Sequence, residues 1–363
     1  MAKKILFFSA GFAFNRLVRM RYYEKIFPKD TEIFLVTTDK YGNKDEEREK
    51  WALKKTKVII LKNSPLKNLI EIRKICHQYN IDTVSNLGHP YGAIPLIFAS
   101  FFKKRKVLLY ILGDSIDYPK LDTFTKSGLK NLFALIPYWI IEKFADKTAF
   151  VGYNSFIKAP VFFLSLKRKF FYMHAPVNTD LFQPINKQKA RKELGIKSNE
   201  KLIFYVGRIT KRKGGELIKK IIASNPDIKF ILVGKWLEDE VSKFKSKNMQ
   251  HIEKVPNELL PKYYSAADLV FAYHRQGCQV GIVGEESMAC GTPIIHTKRV
   301  HAPDKSFIIK ISEDVIEINS KIKDFFLSSN KKIKKMSDDA REFAVSCLSD
   351  NFWKDKYSDF YLN

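Results

Sequence analysis

Two loop sequences in the second half of the chain carry residue types suited to gripping a phosphate ester. The first, Gly207-Arg208-Ile209-Thr210-Lys211-Arg212-Lys213-Gly214-Gly215, follows an apolar run and opens a helical pattern. Glycines let a backbone approach a ligand closely, and a helix start offers unpaired N–H groups to an anion. Arg208 and Lys213 stand across this loop from each other and can reach one diphosphate, the guanidinium as a planar fork and the ammonium as a point charge. The same letters also describe a solvated basic turn. The second sequence runs from Gly277-Cys278-Gln279-Val280-Gly281-Ile282-Val283-Gly284 through Glu285-Glu286 to Gly291-Thr292-Pro293. Its glycine-rich entry presents the N–H groups of Gly281, Ile282 and Val283 to a phosphate. Glu286, about one turn further in, can accept from two neighbouring hydroxyls such as a ribose offers. Taken alone, Glu286 is more often an ordinary carboxylate on a helix surface. Cys278 reads as a small packed residue, because Cys76, Cys290, Cys347 and the histidines form no partner arrangement for a reactive thiol. The cysteine spacing also fits neither a zinc site nor a disulfide framework.

Such loops need strands that end where they begin. Runs rich in Val, Ile, Leu and Phe at 5–8, 33–36, 58–61, 107–112 and 148–151 alternate with helical patterns. After a polar stretch at 186–200 the rhythm restarts, with strands expected at 202–206, 230–233, 269–272 and 293–296. Helices are expected at 66–78, 214–223, 257–266 and 281–290. This alternation predicts an α/β chain with parallel sheets covered on both faces, arranged as two Rossmann-like domains facing across a cleft. Ligands in such sheets sit beyond the carboxyl ends of strands, where both loops fall. The expected domains are 1–185 and 186–340. A helical segment at 341–363, with a wider pattern broken near Ser349-Asp350, can return to the first domain.

The chain has 363 residues, 45% hydrophobic and 28% charged, enough to fill two cores and too apolar for a disordered protein. The longest apolar run, 91–102, falls well short of the ~18–20 residues that span a bilayer. Lys3-Lys4 followed by Ile5-Leu6-Phe7-Phe8 lacks a cleavage site and reads as a first buried strand, so a cytoplasmic location is expected. The net charge of +25 is distributed as roughly +15 through residue 185 and roughly +10 beyond it. That field favours nucleic acid, anionic lipid or phosphorylated substrates, although a lysine-rich solvated surface alone also accounts for it. No recognition motif accompanies the charge, so nucleic acid is not expected as a partner. Cations interleave with aromatics at 101–106 and 164–171, as on proteins that sit on anionic membranes or bind single-stranded nucleic acid, although each stretch alone reads more simply as a helix end followed by a strand. The stretch 129–144 reads as a buried helix in preference to an interfacial one.

Taken together, the two loops resemble the nucleotide-binding half of retaining GT-B glycosyltransferases, in particular glycosyltransferase family 4. That family's pattern is a strand, Gly-Arg and Lys-Gly, then Glu-x7-Glu running into Ala-Met-Ala-x-Gly-x-Pro. Gly207-Arg208 and Lys213-Gly214 match the first part, and Glu286-Ser287-Met288-Ala289-Cys290-Gly291-Thr292-Pro293 matches the last. Between them lie Val255-Pro256-Asn257-Glu258-Leu259 and Tyr263-Tyr264-Ser265-Ala266-Ala267-Asp268. The likeness is strong over 200–296. Before that it rests on scattered words: Asp82-Thr83-Val84, Ala145-Asp146-Lys147 and Asn178-Thr179-Asp180-Leu181-Phe182.

The resemblance implies transfer of a sugar, with retention, from a nucleoside diphosphate sugar to a hydroxyl acceptor on a lipid-linked or envelope glycan. Arg208 and Lys213 would be catalytic, neutralising the departing diphosphate. Gly207, Gly281, Ile282 and Val283 would bind the donor's phosphates, Glu286 its ribose, and the backbone at Lys254 and Val255 its base. The acceptor would attack from the leaving-group face, a donor phosphate oxygen taking the proton. The chain contains no Asp-x-Asp, so no bridging metal is suggested, and no cofactor beyond the donor is implied. On the acceptor side the family's Gly-rich first loop keeps only Gly11, with Arg16 nearby, while His89 and Asp114 follow expected strands. Each has a structural alternative: a basic helix face for Arg16, a packed histidine for His89, a turn cap for Asp114. The expected location is the inner face of the cell membrane, as a peripheral protein. One departure stands out. The family's first Glu falls at Cys278, which keeps open a catalytically degenerate sugar-nucleotide-binding paralogue. A sugar-nucleotide 2-epimerase shares the architecture but lacks the family 4 signature.

Overall fold

A computed structural model describes residues 3–11, 14–39, 53–87, 90–101, 103–111, 139–163, 169–210, 213–236, 244–273, 280–298 and 302–363. The chain divides into two compact units, residues 1–174 with 354–363, and residues 175–353. Residues 175–185 and 341–353 therefore lie in the second unit. Phe182 is buried in that unit's core, and the Arg341 guanidinium donates to the carbonyls of Phe182 and Ala289 at 2.8 and 2.7 Å.

The first unit is a seven-stranded parallel sheet. In chain order its elements are β1 (Lys4–Ser9), α1 (Phe14–Ile26), β2 (Glu32–Thr38), β3 (Thr56–Leu61), α2 (Pro65–Gln78), β4 (Thr83–Asn86), α3 (Ile94–Ser100), β5 (Lys106–Ile111), β6 (Lys147–Phe150), α4 (Tyr153–Phe162) and β7 (Phe170–Tyr172). The strand order is β3-β2-β1-β4-β5-β6-β7. Ile5, Leu6, Phe7 and Phe8 are all buried, as a central parallel strand covered on both faces requires. Leu6 and Phe8 pack on one face with Ile72, Ile75 and Leu96. Phe7 lies on the other, stacked on Tyr23 at 4.8 Å.

The second unit holds a six-stranded parallel sheet in the order β10-β9-β8-β11-β12-β13. It runs α5 (Lys187–Glu193), β8 (Lys201–Val206), α6 (Gly215–Ser224), β9 (Ile228–Val233), β10 (Met249–Ile252), α7 (Leu260–Ala266), β11 (Leu269–Phe271), α8 (Gly281–Ala289), β12 (Ile294–Thr297), β13 (Ile308–Ile311), α9 (Val315–Phe326) and α10 (Asn330–Phe343). A π turn at Ala344–Leu348 follows, and α11 (Asp350–Leu362) carries the chain back into the first unit. The short strands β4, β7, β10 and β13 were not among those read from the sequence.

Three aspartates noticed in the sequence share one structural task. Each precedes a strand and accepts a backbone N–H at or beside the start of a neighbouring strand: Asp82 from Lys4 at 3.0 Å, Asp146 from Val107 at 2.7 Å, Asp268 from Leu202 at 2.7 Å. Asp268 also binds the buried Arg191 at 3.0 Å, and Arg191 donates in turn to the carbonyls of Ala266 and Ser198. The carboxylates thus fix the amino ends of the strands, and with them the register of the opposite, functional edge.

Within the first unit, the end of α11 completes the core. Tyr357 donates to the His174 carbonyl at 2.9 Å and meets the Tyr110 hydroxyl at 2.7 Å. The hydroxyls of Tyr361 and Tyr23 lie 2.9 Å apart, and the Arg19 guanidinium sits 4.2 Å over the Tyr110 ring. The stretch expected as a buried helix is only partly so. Its described end buries Ile141 and Glu142 but exposes Trp139, Ile140 and Phe144, because only one side faces the sheet. Residues 129–138 lie outside the described set.

Candidate functional site

The second sheet reverses its winding between β8 and β11, and the loops leaving these two strands are those singled out above. A crevice at such a switch point is where α/β sheets bind ligands. The first loop leaves the sheet through paired glycines. Val206 and Val233 are in register, and Gly207 and Gly234 follow with φ of 138° and 139°. A Cβ on Gly234 would lie 2.0 Å from the Gly207 carbonyl oxygen, so no side chain fits there. The Gly207 and Ile209 N–H groups donate to Val233 and Lys235 carbonyls, both at 2.9 Å, which leaves Arg208 on the exposed side.

The loop then closes on itself. Lys213 and Gly215 both donate their N–H groups to the Thr210 carbonyl, at 2.9 and 2.8 Å. Gly214, at φ 76°, precedes α6, and a Cβ there would come within 2.6 Å of the Tyr273 ring. From below, the buried Tyr205 hydroxyl lies 3.1 Å from the Arg208 carbonyl and 3.3 Å from that of Lys213.

Across the switch point α8 begins at Gly281. It lies close on the sheet, a Cβ at Gly284 falling 3.2 Å from Ile294 and 3.6 Å from Ala272. Ile282 is exposed, and Gly281 and Val283 are half-buried. His296 on β12 turns Nε2 toward the Val280 carbonyl at 3.2 Å, at the start of this helix. Burial lowers the His296 pKa, and the charges of Lys310 and Lys213 lower it further. Lys213 therefore acts electrostatically at the same end of the sheet as the α8 amino terminus. The loop after β8 thus carries two basic residues and α8 opens with N–H groups across the switch point, residue types able to hold a diphosphate.

Glu286 is 8% exposed, and its Oε2 accepts from the Tyr264 hydroxyl at 2.7 Å. Burial pushes its carboxyl up to about 8, against the Tyr264 hydrogen bond and with help from Glu285. Lys254 and Val255 follow β10, the edge strand, the first exposed and the second half-buried. Gly11 and Arg16 belong to the first unit, beyond β1 at that sheet's own switch point beside β4. Arg16 Nη1 donates to Ser9 Oγ and to the Gly11 carbonyl, so it braces its own loop. His89, Asp114 and Cys278 lie outside the described residues.

The family model for glycosyl transferases group 1 matches residues 186–343, the stretch containing both loops. Over this stretch, under half of the chain, the sequence is that of the group 1 glycosyl transferases. The chain's fold is GT-B: HepE of Anabaena, solved in complex with UDP, superposes with a TM-score of 0.78 at 15% identity, covering 99% of each chain. A sucrose-phosphate synthase from Thermosynechococcus elongatus gives 0.76 at 17% identity, covering 98% of each. In sequence, the D-inositol 3-phosphate glycosyltransferase of Segniliparus rotundus is 30% identical over 136 residues, 34% of this chain and 30% of that protein. The aligned stretch thus spans about 30% of the length of the curated relatives it matches.

Three residues of the candidate site had no role assigned from the sequence: Tyr205, Gly234 and Tyr264. Gly234 did leave a signal, since Val233-Gly234-Lys235 repeats the ending Val206-Gly207-Arg208 one strand later. Tyr264 stood within the word Tyr263-Tyr264-Ser265 without a role of its own, and Tyr205 left no signal. Among the described residues no three His, Cys, Asp or Glu side chains gather to hold a metal ion, and no helix is long and apolar enough to cross a membrane.

Proposed function

We propose that this chain transfers a glycosyl group from a nucleoside diphosphate sugar to a hydroxyl acceptor, with retention of anomeric configuration. The observation that carries this reading is the pairing of the Arg208–Lys213 loop with the α8 amino terminus across the β8/β11 switch point. The bond from the anomeric carbon to the diphosphate breaks while the acceptor oxygen bonds to the same face. The acceptor proton passes to the departing phosphate oxygen. Negative charge grows on the diphosphate as the bond lengthens, and fixed cations and helix N–H groups stabilise it most at that moment. Arg208 and Lys213 are assigned to this charge, Gly207 and the 281–283 amides to the phosphates, Glu286 to the ribose, and the Lys254-Val255 backbone to the base. Gly11 and Arg16, with His89 and Asp114, are assigned to the acceptor side. HepE's complexes with UDP and with UDP-glucose support a uridine nucleotide as the first donor to try.

A lipid-linked acceptor at an anionic membrane surface is supported by the first unit. Phe101 and Phe144 meet edge to face at 5.5 Å and remain exposed, with Lys103 and Lys104 exposed nearby in sequence. A panel of UDP-, GDP- and ADP-sugars, assayed for donor hydrolysis and for transfer to lipid extracts, tests the whole reading. Turnover with one donor is the expected result. Tight binding of a nucleoside diphosphate with no turnover would favour instead the degenerate paralogue that Cys278, standing where the family has Glu, brings to mind.

A further inference from the structure

We infer that Tyr205 is a positioning residue for the diphosphate site, a single hydroxyl that sets the aim of both Arg208 and Lys213. The inference rests on the diphosphate role proposed for those two side chains. Tyr205 is next to last on β8, is 3% exposed, and points its hydroxyl into the hollow beneath the loop. Its Oη is 3.1 Å from the Arg208 carbonyl oxygen and 3.3 Å from the Lys213 carbonyl oxygen. One hydroxyl proton is thus shared by two carbonyls belonging to the two cationic residues. A carbonyl held inward fixes its peptide plane, and the plane fixes where the residue's Cα–Cβ bond leads.

The rest of the loop does not do this. The main-chain bonds from Ile209 to Lys235 and from Lys213 and Gly215 to Thr210 hold its two arms separately. The Tyr205 hydroxyl touches both cationic positions at once. Burial raises the phenol's pKa well above its ordinary value, so the hydroxyl remains a donor throughout the working range. Without it, two partly buried carbonyls face a ring edge and turn toward water, each carrying its side chain off line. A displacement near 1 Å costs large factors where alignment matters.

The test compares Tyr205→Phe with the unaltered chain in calorimetric titrations with nucleoside diphosphate and nucleoside monophosphate, the base chosen from the panel above. The ratio of the two affinities reports the grip on the second phosphate. A general loosening of the fold lowers both affinities together and leaves the ratio alone. Y205F is expected to lower the ratio about 10-fold, yet to change nothing further in an R208A/K213A background, because the hydroxyl acts through those residues. An unchanged ratio in folded Y205F, or an equal loss in the double-alanine background, overturns the inference. If the unaltered chain shows no preference for any diphosphate, the functional reading itself fails and this inference with it. Should Y205F prove thermally weak, the same titrations at 10 °C decide the matter.

Discussion

Glu286 combines a carboxylate, a buried position and a tyrosine hydroxyl 2.7 Å away. Its carboxyl is pushed up to about 8, mainly by burial. The unfolded chain ionises this group near 4.5, so the folded state holds the extra proton between the two values. Folded stability is therefore undiminished below pH 4.5 and falls as pH rises toward 8, by a few kcal/mol in all. Glu286→Gln removes this penalty while its amide oxygen still accepts from Tyr264. Its thermal midpoint should match the unaltered chain at pH 5 and exceed it at pH 8; equal midpoints at both would refute the shift. Donor hydroxyls favour the ionised form, so nucleoside diphosphate affinity should climb between pH 6 and 8 and lose that slope in E286Q. Arg208→Ala and Lys213→Ala should each lower turnover by ~10²-fold, as removal of one transition-state charge partner does. Full turnover in either, measured at saturating donor, would remove that residue from the chemistry.

The element scale explains how much of the site could be read without coordinates. Strands β1, β2, β8 and β9 stood out because a fully buried parallel strand must be apolar on both faces, and the loops after β8 and β11 stood out by glycine and charge. The aspartates before β4, β6 and β11 were visible as family words, but their task depends on strand order, which no local pattern contains. Tyr205 was illegible for a similar reason. It is one of 16 tyrosines, and only the path of the loop brings two carbonyls to its hydroxyl. Asp268→Ala should cost about 3–5 kcal/mol, since it strands the buried Arg191 charge, and urea denaturation would measure it. Gly214→Ala joins a left-handed φ to a 2.6 Å approach to Tyr273. A loss of about 2 kcal/mol, with weakened diphosphate binding, is expected; a neutral effect on both would show that Tyr273 yields freely.

At the scale of the molecule, the net charge of +25 spreads over both units, and its use depends on which cations are free to act outward. Lys103 and Lys104 are exposed, whereas Arg105 is buried and donates to the carbonyls of Ile81 and Ala99. A surface test must therefore spare Arg105. Lys103→Glu with Lys104→Glu should reduce sedimentation with anionic vesicles and leave folding intact; undiminished recovery would count against a membrane role for this edge.

The tyrosines of α11 have a consequence in time. The amino-terminal sheet emerges from the ribosome early, yet Tyr357 and Tyr361, which fill its core, emerge some 180 residues after His174. At translation speeds of ~5–20 residues per second, that interval lasts roughly 10–40 s. Throughout it Phe7, Tyr23 and Tyr110 have no cover on that side, while the carboxyl-terminal unit is being made. The half of the protein synthesised first is thus the half finished last, and the nascent chain offers chaperones an open aromatic face until its final turns of helix arrive.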